Sequence, residues 1–359
     1  MDFKRSFRAM ALVMMGAVSF TACDDDEEVE KKPSGSNDVV YVLNEGNKGS
    51  NNTSVSALDL ATGENFYYQF MAANGRGLGD TGQDMLRYGG KIYIAVYGSN
   101  TIEVVDGNSL KSIKTIQPEA GKPGNPRSLA ADNGKVYVSL YDGYVAKLDT
   151  AKLAIEDSIV VGPNPEEITI ANGNLYVTVS DGMNYAAGYE NGKYVSKIAL
   201  DSFKVASKID VLVNPTKITS DKDGNVFVIS MGNYGDIPAT IQKITKDDSV
   251  SVVGKATLMA CNENTLYTIN APWGASSIDF VSFNTKTGVK ESSSFISGSE
   301  DELPSNPTSI SVNPKNGNIM IGSYLTAGDY SSNGYVFEYA DGAFKAKYNV
   351  GVGPRKIVY

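Results

Sequence analysis

The chain has 359 residues, 42% hydrophobic and 20% charged, with 21 Tyr, two Cys, no His and a net charge of −9. Without histidine there can be no Ser–His–Asp or Cys–His hydrolase and no zinc site of His or mixed Cys/His type, and two cysteines cannot make a Cys-rich one. The acidic balance argues against a surface for DNA or RNA, so no nucleic-acid partner is expected. A binding protein, a scaffold, or an enzyme using carboxylates, Tyr, Lys or a bound cation remains.

In chain order, residues 1–22 read as a lipoprotein signal peptide. Lys4, Arg5 and Arg8 precede the 12-residue apolar run Ala9–Phe20, which is too short to span a bilayer but fits a signal core. It ends Phe20-Thr21-Ala22-Cys23, which resembles a lipobox with Cys23 as the lipidated residue, although Phe stands where Leu is usual. Ordinary secretory cleavage after Ala22 is the alternative. Lipidation would consume Cys23, so no intrachain disulfide is expected, and Cys261, in an apolar strand pattern, is expected in the core. Residues 23–37 then form an acidic flexible tether, Asp24 to Glu28 followed by Lys31 to Ser36. An acidic run in this place resembles the surface-export signal of Bacteroidota lipoproteins, which implies an outer-membrane, cell-surface location.

From residue 38 the chain is a repeat. Asn125-Pro126-Arg127-Ser128-Leu129, Asn164-Pro165-Glu166-Glu167-Ile168, Asn214-Pro215-Thr216-Lys217-Ile218, Asn306-Pro307-Thr308-Ser309-Ile310 and Gly353-Pro354-Arg355-Lys356-Ile357 are copies of one phrase. The prolines stand 39, 50, 92 and 47 residues apart, and the long gap holds a degenerate copy near Thr257. Each phrase leads through a Gly or Asn turn into alternating strands such as Lys135–Ser139 and Asn174–Thr178. Short period-2 strands at this spacing predict an all-β, seven-bladed propeller of four-stranded blades over 38–359. The units fall at about 39–70, 81–116, 125–161, 164–211, 214–253, 257–296 and 306–350. The opening unit starts on a second strand and the chain ends on a lone first strand, so the C-terminal strand is expected to complete the first blade and close the ring.

Loops joining second to third strands share one face with the blade-to-blade crossings. Six of these seven loops carry an aromatic: Tyr97, Tyr141, Tyr185 with Tyr189, Tyr234, Trp273, and Tyr324 with Tyr330. The opposite turns are minimal, as at Asn133-Gly134, so the loop-rich face is the expected ligand surface, with Asn44, Glu45, Asn47 and Asn100 among its polar groups. Some of the tyrosines are expected to pack between blades instead, Tyr97 and Tyr141 first. Aligned phrases place Gln83, Arg127, Glu166, Thr216, Thr257, Thr308 and Arg355 around the axial mouth, and a further arginine, Arg76, lies in a crossing. Scarce arginines on one face point either to an anionic or amide-rich ligand or to a channel plug made by Arg127 paired with Glu166. A cation-dependent lactonase or lyase is a third expectation; it would need converging Glu, Asn and Asp, of which this ring offers only Glu166, so no catalytic residue, metal or cofactor is assigned. Asp221-Lys222-Asp223-Gly224-Asn225 lacks the later Glu of a calcium loop and reads as a hairpin turn.

The stretch Lys91–Asp106 resembles the YncE/YVTN-like propeller repeat. Leu43-Asn44-Glu45-Gly46-Asn47, Ala73-Asn74-Gly75 and the closing Val350-Gly351-Val352-Gly353-Pro354 resemble Bacteroidota surface-layer-type propeller lipoproteins, a group that includes the BtuG-type cobalamin-binding proteins. That resemblance implies a monomeric surface lipoprotein that captures a corrinoid and passes it to a TonB-dependent outer-membrane transporter, touching the membrane only through its lipid. A structural propeller that docks a transporter or glycan is the rival expectation.

Overall fold

The computed structural model describes residues 38–118 and 121–359. The signal peptide, Cys23 and the tether lie outside the described residues.

The strands form seven four-stranded antiparallel sheets. The innermost strands of blades 2 to 7 are Gly82–Tyr88, Pro126–Asp132, Pro165–Ala171, Pro215–Ser220, Leu258–Asn262 and Pro307–Val312. In blade 1 the innermost strand is the chain's last, Pro354–Val358, paired antiparallel with the first, Val39–Asn44, through Tyr41–Val358 and Val42–Ile357. Each innermost strand neighbours those of the adjoining blades in an unbroken circuit that returns from blade 7 through blade 1 to blade 2. The architecture is therefore a seven-bladed β-propeller whose ring is closed by pairing the first and last strands of the described residues.

The burial pattern follows from this stacking. A second strand such as Lys135–Leu140 sits between neighbouring blades, so both its faces are covered and Val136, Tyr137, Val138 and Leu140 are all buried. An outer strand such as Ala154–Val160 has one edge in solvent and stays largely exposed. The hydrophobic core is accordingly a set of inter-blade clusters; one joins Met320, Val336 and Tyr348 of blade 7 to Val40, Val42, Leu58 and Ile357 of blade 1.

The repeated phrase has a structural reason. In blade 3, Pro126 pairs with Leu140 and Ser128 with Ser139, so Arg127 is the extra residue of a β-bulge. The same shift falls at Gln83, Thr216, Thr308 and Arg355, and across Glu166-Glu167 in blade 4. A bulge turns its extra residue out of the ladder. The asparagine before the proline adopts a left-handed conformation at Asn125, Asn164 and Asn214 (φ 61°, 51° and 62°), which Asn tolerates better than most residues. Its carbonyl then accepts a backbone N–H from the base of the blade's own loop: Tyr141 N at 2.9 Å, Ser180 N at 3.1 Å and Met231 N at 2.8 Å. The degenerate copy in blade 6 has no proline and no bulge; Leu258 pairs directly with Ile269.

Two expectations are corrected or completed, for Cys261 and for the Asp221 turn. Cys261 is half-buried at the edge of a cluster with Phe227 and Leu266 rather than inside the core. The helical segments are short, six residues each at Gln69–Asn74 and Gly182–Ala187, and among the described residues no helix is long and apolar enough to cross a membrane. Asp221 closes the turn read from its sequence, accepting hydrogen bonds from the backbone of Asp223 (3.0 Å) and Asn225 (2.8 Å).

Candidate functional site

The bulge residues of blades 1 to 4 converge at the axial mouth and bond to one another. Arg127 donates from Nε to Glu166 Oε2 at 3.0 Å, from Nη2 to the same oxygen, and from Nη1 to Gln83 Oε1 at 2.8 Å. Gln83 donates in turn to Glu45 Oε1 at 2.6 Å. Glu45 follows the second strand of blade 1, the place that Tyr97, Tyr141 and Tyr324 hold in blades 2, 3 and 7. The Arg127 guanidinium lies 4.7 Å from the Tyr141 ring and 5.3 Å from that of Tyr97, and the two rings meet edge to face at 5.7 Å. Burial, with the Glu166 carboxylate adding to it, pushes the Tyr141 phenol up to about 12. Around Arg127 the mouth is a closed network: of the two alternatives for Arg127, the structure shows the internal pair with Glu166.

Blades 5 to 7 are different. Their mouth positions are Thr216, Thr257 and Thr308, and the Thr257 and Thr308 hydroxyls are spent on Ile269 O (3.2 Å) and Pro354 O (2.6 Å). The long loops of blades 4 to 7 stand around this neutral arc. Trp273 is 83% exposed, Tyr185 71%, Tyr234 68% and Tyr330 38%. Tyr185 rides with exposed Met183 on the 3-10 turn Gly182–Ala187, anchored beneath by buried Asp181, which accepts from Asn184 Nδ2 (2.9 Å) and the Asn191 backbone (3.0 Å). Trp273 stacks on Tyr330 with ring centres 6.2 Å apart and planes 25° from parallel, and Tyr330 meets Tyr324 edge to face at 5.0 Å.

Several expected contact residues serve the scaffold. Asn44 is fully buried and donates to Ser54 and Ser56 hydroxyls at 3.1 and 3.0 Å. Tyr189 is 7% exposed and lies beneath its loop. Arg76 sits on the flank of blade 2, away from the mouth, donating to Glu103 Oε1 at 2.8 Å and stacking over Phe70 at 4.9 Å. Asn100 accepts the Asn125 backbone N–H at 2.7 Å, which ties a loop to the next crossing. Asn47 remains at the rim and bonds across blades to the Tyr330 carbonyl at 2.6 Å.

A second charged layer escaped the sequence reading. The residue after four of the seven mouth positions is charged, Asp84, Glu167, Lys217 and Lys356, and these pair as Lys356–Asp84 at 3.0 Å and Lys217–Glu167 at 2.6 Å. Asp84 also accepts from Ser128 Oγ at 3.1 Å and Leu129 N at 2.8 Å, binding blade 2 to blade 3. Burial would raise the Glu167 carboxyl, but Lys217 beside it holds it below its ordinary value. The signal was present in the aligned phrases, one position further along. Among the described residues no group of three metal-ligating side chains comes together. Two cavities, of about 450 and 590 Å³, open among the short turns of the opposite face, one by Asn316-Gly317 and one by Asp221–Gly224.

Solved structures similar to this chain are propeller-like. A Bacteroides fragilis protein named as a 6-phosphogluconolactonase superposes with a TM-score of 0.60 at 12% identity, covering 91% of this chain and 100% of its own. Kuenenia stuttgartiensis hydrazine synthase gives 0.57 at 15% identity over 74% of this chain and 85% of its own. The extracellular domain of a one-component system of B. thetaiotaomicron gives 0.54 at 14% identity, over 88% of this chain but 46% of its own. At such identities the likeness establishes the fold alone. No curated protein matches. One family model covers residues 38–352, and the chain therefore belongs to the family of the domain of unknown function DUF5074.

Proposed function

We propose that this protein is a lipid-anchored surface propeller that captures a corrinoid-type nutrient on its loop-rich face and delivers it to a TonB-dependent outer-membrane transporter, without chemistry of its own. The observation that carries the reading is the open aromatic rim, Tyr185, Tyr234, Trp273 and Tyr330, standing over a neutral threonine arc. A corrin is a broad amphipathic disc fringed with amides and carrying one phosphate. Aromatic side chains can cover its faces, and polar rim groups such as Asn47 can meet its fringe. The absence of histidine from the chain means that recognition works by contact and hydrogen bonding, with no imidazole on the cobalt. The mouth carboxylates support binding over catalysis: Glu166 is held by Arg127 and Glu45 by Gln83, leaving neither as a ready base. The resemblance to BtuG-type propellers supports the same ligand class.

Trp273 is the single tryptophan of the chain, so its emission reports on this rim alone. Titration of the mature protein with cyanocobalamin is expected to quench that emission to saturation, and the coloured ligand is expected to co-elute through a desalting column. No quenching and no co-elution at micromolar protein would overturn the corrinoid reading. The stacking of Trp273, Tyr330 and Tyr324 on one another favours a second reading, an interaction propeller whose aromatics bind a protein or glycan. Co-purification of a transporter with ligand-free protein, unchanged by cyanocobalamin, would decide for it.

A further inference from the structure

We propose that Arg355 is the anion-receiving group of the mouth, so that the ligand is a planar apolar body carrying an acidic group, its body against Tyr330 and Trp273 and its acid on Arg355. This rests on the reading of the loop-rich face as a ligand surface.

The two mouth arginines are in opposite states. Arg127 bonds through Nε, Nη1 and Nη2, spending three of its donors, and two tyrosine rings lie against it. Arg355 donates once, from Nη2 to Gln83 Oε1 at a long 3.3 Å, and its approach to Glu45 is 3.7 Å, an ion pair without a hydrogen bond. A guanidinium has five N–H donors in a planar fork suited to carboxylate or phosphate. Four of the five on Arg355 have no acceptor among the described residues. Its side chain is 28% exposed, so it is reachable from the mouth yet enclosed enough for a bound anion to be poorly screened. The second-layer charges are matched in pairs, Lys356 with Asp84 and Lys217 with Glu167, which leaves Arg355 as the mouth cation with unused donors.

Arg355 also lies at the inner end of the aromatic line. The Tyr324 hydroxyl lies close to Gly353, two residues before Arg355. From Tyr324 the rings continue outward to Tyr330 at 5.0 Å and Trp273 at 6.2 Å. A cation with open donors therefore leads into a strip of aromatic surface ending in Trp273, the most exposed large hydrophobic side chain among the described residues.

The test uses 1-pyrenebutanoate and the neutral 1-pyrenebutanamide, titrated against the mature protein with Trp273 emission as the readout. Wild type is expected to take the acid at least about tenfold more tightly than the amide. Arg355→Gln is expected to bring that ratio close to one, and Arg355→Lys, which keeps the charge but loses the fork, to give an intermediate ratio. Equal affinities in wild type, a preference that survives Arg355→Gln, or no quenching by either compound would overturn the proposal. Cyanocobalamin in the same titration separates the two readings. If it fails to bind while the pyrene pair behaves as stated, the corrinoid ligand is wrong and the anion subsite stands. If cyanocobalamin binds equally to wild type and Arg355→Gln and the pyrene ratio is one, the subsite is wrong and the corrinoid ligand stands.

Discussion

Replacement of Ile357 by alanine tests how the ring is held closed. Ile357 is the fifth residue of the last phrase, 4% exposed, on the C-terminal strand where blade 1 packs on blade 7 among Val40, Val42, Leu58, Met320 and Tyr348. Ile→Ala removes three carbon groups, each worth about 0.8 kcal/mol of transfer free energy, and the cavity left behind adds to that. The expected loss is about 3 kcal/mol. The control is Val252→Ala on an outer strand, where the side chain is 66% exposed and the loss should stay within about 0.5 kcal/mol. Ile168→Ala, at the same repeat position and 7% exposed, should match Ile357→Ala, because the ring has no privileged seam once closed. Equilibrium urea unfolding followed by Trp273 emission and circular dichroism gives the comparison, with lower midpoints at an unchanged slope expected for the two isoleucine variants. A loss below about 1 kcal/mol for Ile357→Ala would refute the view that the C-terminal strand closes the propeller by burying this side chain.

Arg127→Met should cost about 2–3 kcal/mol because Glu166 would keep only the Ser180 hydroxyl at 3.3 Å, and the double variant with Glu166→Gln should recover part of it; no recovery in urea melts would sink the explanation. Thr81 holds the place taken by left-handed Asn in other blades and adopts φ 58° despite its branched side chain, so Thr81→Asn should gain about 0.5–1 kcal/mol, and a loss would count against strain there. The Cys261 thiol is pushed up to about 12 by burial, so in a Cys23→Ser background it should react slowly with Ellman's reagent at mildly alkaline pH when folded and rapidly in urea; fast labelling of the native protein would contradict this. Tyr141 titrates above the ordinary 10.0 of a tyrosine, so its contribution to stability is complete below that pH and is lost as pH rises through about 12, and spectroscopic phenol titration of wild type against Tyr141→Phe should show one fewer late-ionising group.

The mouth was partly legible in advance. Aligning the phrases found Gln83, Arg127, Glu166 and Arg355 because a bulge imposes the same orientation in each blade, and that orientation is local. Beyond the Arg127–Glu166 pair, which stood as one of two alternatives, which groups bond to which was not legible. Glu45 lies 38 residues before Gln83, and the last strand brings Arg355 round to Gln83 from 272 residues away. Arg76 was misplaced for a related reason: its crossing folds back along the flank of blade 2, where Glu103, nearly solvent-free on a middle strand, draws the guanidinium away from the axis.

The sequence by itself determined the period, the number of blades, the split first blade and the face that carries the long loops, because these follow from turn residues, strand alternation and repeated phrases acting over a few residues each. Only the tertiary structure decided that the mouth has two unlike halves. Self-pairing of charges in blades 1 to 4 depends on side chains from different blades meeting at the axis, and so does the opposite state of two arginines at equivalent positions. Repeat position is encoded locally, but whether a donor finds an acceptor is decided by its neighbours in the ring.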